Sequence, residues 1–130
     1  MTHEELKATA VAMLDRAYVP YSHFPVGAAL ECSDGTVFTG CNIENASYTP
    51  TICAERTAVS KAVSEGHRDF VRIVIAGRSK DFCVPCGVCR QVLRAFAPAL
   101  EILCLNGAGE ERVFTLPELL PHSFGPEYLL

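Results

Sequence analysis

The sequence predicts an α/β domain, a three-layer α/β/α sandwich around a mixed five-stranded sheet whose last two strands are antiparallel. Three observations carry that expectation. Apolar residues recur at helical spacing in three segments, and as short alternating or β-branched runs in five others. The two kinds of segment interleave along the chain, which favours helices packed on both faces of one sheet. The link Asn106 to Glu111 contains Asn-Gly and suits a hairpin, whereas a parallel crossover needs about a dozen residues or more.

Each element follows from local chemistry. Thr2-His3-Glu4-Glu5 has the form of a capping box, with Thr2 as N-cap and Glu5 reaching back. Leu6, Ala10, Met13, Leu14 and Ala17 then give the first amphipathic helix, which the aromatic loop Tyr18 to Pro25 ends. Strands are expected at Val26 to Glu31 and Val37 to Cys41, joined through the Asp34-Gly35 hairpin signal. An irregular stretch, Asn42 to Ile52, delivers the chain to Cys53. The second helix runs from there to about Glu65 and stops at Gly66. Phe70 to Ala76 is β-branched and apolar enough to be a strand buried on both faces. A third helix starts near Cys86, continues through Val92, Leu93 and Phe96, and breaks before Pro98. Glu101 to Leu105 and Arg112 to Thr115 complete the sheet.

Length and composition narrow the function. A chain of 130 residues is predicted to be one domain, burying about two thirds of its unfolded surface, so it needs no disulfides to fold. Seven cysteines are an odd number, and Met1 to Lys7 carry charge without leading into an apolar core, which predicts no secretory leader. A reducing, cytoplasmic setting with thiols reserved for metal is the expectation. No apolar run approaches the ~20 residues that span a bilayer. A formal net charge of −4, with eleven scattered Lys and Arg, weighs against a nucleic-acid partner and favours a small, weakly charged substrate.

The chemistry concentrates in two segments, Cys53-Ala54-Glu55-Arg56 and Pro85-Cys86-Gly87-Val88-Cys89. Both begin a helix, where free N–H groups and the helix dipole favour thiolates. Cys86 and Cys89 are three apart and face the same way on a first turn, and Cys53 closes a third side if the two helix starts abut. A structural zinc site closes with four protein ligands, whereas a catalytic one leaves a position open. Three thiolates leave the metal with excess negative charge, and Arg56, on the face of Cys53, is placed to donate to the sulfurs. Glu55 is the non-ligand carboxylate available for proton transfer.

Other readings stay open at this point. Pro-Cys-Gly-Val-Cys alone also suits a redox pair or half of a structural zinc site, and Glu55 alone also suits a dipole partner. Arg90, four after Cys86, is a second candidate for sulfur contact. Cys32, Cys41, Cys83 and Cys104 are expected to be small buried residues, of which Cys83 could also compete for metal or oxidise. His23, His67 and His122 have no motif around them.

Gly40-Cys41-Asn42-Ile43-Glu44-Asn45-Ala46, Cys53-Ala54-Glu55-Arg56-Thr57-Ala58 and Pro85-Cys86-Gly87-Val88-Cys89-Arg90-Gln91 together resemble the cytidine deaminases. The similarity is to the short-chain, homotetrameric kind with three cysteine ligands, and it extends to Glu118-Leu119-Leu120-Pro121. It implies a cytidine deaminase-like fold and one Zn²⁺ per subunit on Cys53, Cys86 and Cys89, with Glu55 as proton shuttle. It implies deamination of cytidine and 2′-deoxycytidine to uridine and 2′-deoxyuridine plus ammonia, in pyrimidine salvage. Asn42 and Glu44 would bind the ribose hydroxyls, Phe24 would pack on the ring, and the Ala54 backbone with Glu55 would read the base edge. Tyr48 and Phe124 would complete the site across subunit interfaces, Phe124 from the apolar tail Leu119 to Leu130. A polynucleotide deaminase, an aminonucleoside-antibiotic deaminase and a zinc-stabilised interaction module are the rival readings.

Overall fold

Helix α1, His3–Ala12, opens the structure, a computed structural model describing residues 1–130. Thr2 Oγ1 accepts from the Glu5 N–H at 3.1 Å, as an N-cap should. The return bond from Glu5 is not formed; Thr2 is exposed, and water can serve its N–H. The apolar spacing expected to continue the helix through Ala17 does not do so. After Ala12 the chain tightens into a 3₁₀ turn, Met13–Arg16, in which Leu14 alone is buried. One anchoring side chain suits the short, tight turn that commonly ends an α-helix.

Strands β1, Val26–Cys32, and β2, Val37–Cys41, form the expected hairpin, with Gly35 in the left-handed region at φ 89°. Helix α2 covers Ala54–Ser64 and β3 covers Phe70–Gly77. Helix α3, Gly87–Phe96, leads to β4, Glu101–Leu105, and β5, Glu111–Thr115. A short helix α4, Leu116–Leu119, and a 3₁₀ turn, Pro126–Tyr128, follow. Sequence reasoning missed α4, although Thr115-Leu116-Pro117-Glu118 carries the signal of an N-cap, an early proline and an acidic third position.

The sheet order is β2-β1-β3-β4-β5. Pairs β1·β2, β1·β3 and β4·β5 are antiparallel, and β3·β4 is parallel. Because β2 and β3 each run antiparallel to β1, they point the same way. Helices α2 and α3, which follow them, therefore begin at the same end of the sheet. That end, beyond the carboxyl termini of like-directed strands, is where open α/β sheets place their ligands.

The central strands bury both faces because alternate side chains point oppositely. Ala28, Leu30, Ile73, Ile75, Ile102 and Cys104 pack against Ala58, Val59 and Ala62 of α2 and Leu93 of α3. On the other face Ala29, Val74, Ala76, Leu103 and Leu105 meet Leu6, Ala10 and Leu14. The three layers follow directly. Gly40 sets the height of α2 above the sheet: a Cβ there would lie 2.1 Å from the Ala54 carbonyl oxygen. No helix is long and apolar enough to cross a membrane.

Candidate active site

Cys53 is the N-cap of α2 and Cys86 the N-cap of α3, both with extended backbones. Cys89 lies in the first turn of α3 and is fully buried. The three Sγ atoms all fall within 4.8 Å of one another, and Cys53 Sγ to Cys86 Sγ is 3.7 Å. Two tetrahedral ligands at a Zn–S bond of about 2.3 Å would stand about 3.8 Å apart. The donor set is soft and thiolate-rich, so these residues fit a zinc ion.

Local hydrogen bonds prepare the sulfurs. Cys86 Sγ accepts from the Cys89 N–H at 3.5 Å, and Arg56 Nη2 donates to Cys53 Sγ at 3.5 Å. Hydrogen bonds from the Cys89 thiol and then from Arg56 hold the Cys53 thiol down to about 5. Cys89, donating to Cys53 and buried, is pushed the other way. Thr57 Oγ1 fastens the start of α2 to β2, sitting 3.1 Å from both Cys41 O and Cys53 O.

Glu55 is 4% exposed and projects from the first turn of α2 toward the same cluster. Burial, reinforced by the charge of Cys53, pushes its carboxyl up to about 7. A cation beside it would favour the carboxylate again. A group poised between the two forms suits proton transfer near neutral pH.

A cavity of about 140 Å³ opens onto this arrangement, lined by Phe24, Asn42, Cys53, Ala54, Glu55 and Cys86 together with Val26, Cys83 and Val84. Six of the residues singled out from sequence thus share one wall. Cys83 was expected to be a small buried residue that could compete for metal or oxidise. It stands outside the sulfur cluster, and burial pushes its thiol up to about 12, which keeps it neutral. Val84 lines the cavity without having been picked out, since nothing in its type signals a role.

Asn42 ties the loop that carries Phe24. Its Oδ1 accepts from the Val26 N–H at 2.9 Å, and its Nδ2 donates to the Phe24 carbonyl at 2.8 Å. Glu44 Oε1 accepts from the N–H groups of Tyr21, at 3.0 Å, and Ser22, at 3.1 Å. Bonds from Ser22 and Tyr21 hold the Glu44 carboxyl below the usual range, so it is ionised. The stretch expected to be irregular is pinned at Ile43, which bridges to both Tyr18 and Ile52.

A neighbouring cavity of about 450 Å³ is lined by Tyr21, Ser22, Glu44 and Tyr48, among others. Tyr48 is 76% exposed and left-handed at φ 62°. Strain of that kind in a non-glycine residue persists where surrounding structure holds it. Within the chain, neither Tyr48 nor Phe124 lines the Glu55 cavity. Phe124 stacks on Tyr128 with ring centroids 4.8 Å apart, beyond α3. Arg90, the second candidate for a sulfur contact, donates instead to backbone carbonyls of Pro85 and Leu119. His67 is structural, bonded to Asp34 and edge-on to Phe38.

Comparison with known proteins agrees with this geometry. The family model described as "Cytidine and deoxycytidylate deaminase zinc-binding region" matches residues 1–104. A cytidine deaminase of Sporosarcina psychrophila is 45% identical over 130 residues, covering 99% of this chain and 96% of the relative. One from Halalkalibacterium halodurans is 48% identical over 128 residues, covering 98% and 97%. The crystal structure of a Burkholderia pseudomallei cytidine deaminase superposes with a TM-score of 0.92 at 46% identity, covering 95% of this chain and all of that one. A Mycobacterium tuberculosis cytidine deaminase gives 0.83 at 38%, covering 96% and 98%.

Proposed function

The chain belongs to the cytidine and deoxycytidylate deaminase family, and on that premise we propose that it hydrolyses the exocyclic amine of free cytidine and 2′-deoxycytidine, releasing uridine or 2′-deoxyuridine and ammonia. The observation that carries this reading is the convergence of the Cys53, Cys86 and Cys89 sulfurs, with Cys53, Cys86 and buried Glu55 lining one cavity. A zinc ion held by the three sulfurs, one per subunit, supplies the Lewis acidity that makes a water nucleophilic near neutral pH.

The chain's own residues do the rest. Glu55 accepts a proton from the water that attacks C4 and passes it to ring N3. It then takes the remaining proton of the added C4 hydroxyl and delivers it to the exocyclic amine, which leaves as ammonia as the C4 carbonyl forms. Its burial next to Cys53 supports that role, because burial raises the carboxyl's proton affinity while a neighbouring cation would draw it back toward the carboxylate that accepts a proton. Arg56 offsets thiolate charge by donating to Cys53. Phe24 packs on the pyrimidine, and the Ala54 backbone reads the base edge with Glu55. Glu44 has one carboxylate oxygen engaged by the Tyr21 and Ser22 N–H groups and offers the other to the ribose. Asn42 has one amide hydrogen beyond its loop contacts for the same purpose.

In this reading residues 1–130 form one catalytic domain that acts in the cytoplasm, in pyrimidine salvage. It assembles as a homotetramer in which Tyr48 and Phe124 reach neighbouring sites. Their exposure in the single chain supports that arrangement. Ammonia release from cytidine and 2′-deoxycytidine, with adenosine and a cytosine-containing oligonucleotide alongside, tests the substrate class. Turnover of the two cytosine nucleosides alone is expected. A zinc-loaded protein inert toward both would refute it.

A further inference from the structure

Arg90 follows Cys89, the last of the three clustered cysteines, yet its guanidinium turns away from the sulfurs. Nε donates to the Pro85 carbonyl at 2.8 Å, and Nη1 donates to the Leu119 carbonyl at 2.8 Å. Pro85 is fully buried and immediately precedes Cys86. Leu119 is the last residue of α4, where a helix leaves carbonyls without intrahelical partners. One side chain thus joins the loop that presents Cys86, the helix that carries Cys89, and the end of α4.

We propose that Arg90 is a positioning residue for the metal centre, holding Cys86 in the orientation that brings its sulfur to those of Cys53 and Cys89. This rests on reading the three cysteines as zinc ligands. Peptide planarity transmits the constraint. The Pro85 carbonyl and the Cys86 nitrogen belong to the same rigid peptide unit, so a bond to that oxygen sets the tilt of the unit. Cys86 is the exposed member of the three. The proline ring fixes Pro85 φ, and the Arg90 bond to the carbonyl limits the rotation about ψ that the ring leaves free. A guanidinium serves two carbonyls at a fixed angle, which a single ammonium does not. Groups that orient metal ligands in this way typically account for about 10–100-fold in metal affinity.

Two neighbours on α3 provide an internal comparison. Gln91 Nε2 donates to the Phe124 carbonyl at 2.9 Å, and Arg94 Nε donates to Ser123 Oγ at 2.8 Å. These bonds hold the C-terminal segment without touching the Pro85 loop.

The test is the rate at which zinc leaves the purified holoenzyme for an excess of chromophoric chelator. It is measured for the wild type and for Arg90→Gln, Arg90→Lys and Arg94→Gln, with circular dichroism as the check on folding. Release about tenfold faster is expected for Arg90→Gln, a smaller acceleration for Arg90→Lys, and the wild-type rate for Arg94→Gln. Folded Arg90→Gln releasing zinc at the wild-type rate overturns the proposal. If that variant does not fold, Arg90→Lys decides on the same terms. Equal acceleration in Arg94→Gln also overturns it, because the effect would then belong to docking of the C-terminal segment. A wild-type chain that holds no zinc refutes the ligand reading itself, a result distinct from any difference among variants.

Discussion

The sulfur atoms of Cys53 and Cys86 stand 3.7 Å apart although 33 positions separate the residues. Each caps a helix that follows one of two like-directed strands, β2 and β3, so both helix starts meet at one end of the sheet. The metal-binding geometry is a consequence of strand direction.

Cys86→Ala is expected to lose zinc and cytidine turnover together while keeping the fold, since the cysteine is exposed and its removal leaves no cavity. Metal analysis beside an ammonia assay checks it. Retained stoichiometric zinc would exclude Cys86 as a ligand.

Glu55→Gln should bind zinc normally and lower kcat by roughly 10²–10⁴-fold, the range for losing a general acid–base group. The amide keeps the shape but neither accepts nor delivers a proton. Steady-state kinetics on zinc-matched protein decides, and wild-type kcat would remove Glu55 from the reaction.

Gly40→Val should destabilise the protein and disturb the metal site in the same variant. A Cβ at position 40 would press on the Ala54 carbonyl oxygen at 2.1 Å and the Ala58 nitrogen at 2.7 Å, both backbone atoms. Overpacking of this kind costs roughly 1–3 kcal/mol. Denaturant midpoint and zinc content are the measurements, and an unchanged midpoint would show that α2 can move.

Asn42→Asp should raise KM more than it lowers kcat. The change removes the donor to the Phe24 carbonyl and sets a carboxylate against it, an arrangement costing about 1–3 kcal/mol where the group is left unpaired. The loop that presents Phe24 then loosens, whereas Glu55 and the sulfurs stay in place. An equal fall in kcat with KM unchanged would contradict this division.

Acid should release the C-terminal segment. Glu127 is bonded by Arg94, which holds its carboxyl below the ordinary value of 4.5. A depressed folded pKa means that its contribution is complete above the unfolded value and is lost as pH falls through the folded one. Proteolytic nicking near residues 123–130 should therefore be slow at neutral pH and faster at pH below about 4. Equal rates at both would show that the ion pair does not hold the segment.

Much of this was legible in sequence because it depends on short-range chemistry. Asp34-Gly35, Gly66 and the apolar periods located turns, helix ends and strands to within a residue or two. The six-residue Asn106 to Glu111 link could only be a hairpin, so the β4·β5 orientation followed. The first helix ended earlier than its apolar spacing, because packing beyond Ala12 engages only Leu14. Helix α4 went unseen because it is too short to show a period.

The sequence by itself determined which residue types carry chemistry and at which local spacing: thiols at helix starts, a carboxylate two positions after one of them, an arginine on the same face. Covalent neighbours and helical geometry decide such relations. Only the tertiary structure decided that β3 lies beyond β1 and parallel to β2, that a glycine lets α2 settle onto the sheet, and that Arg90 reaches carbonyls instead of sulfurs. Those outcomes depend on which surfaces pack together across long sequence separations, and no local pattern encodes them.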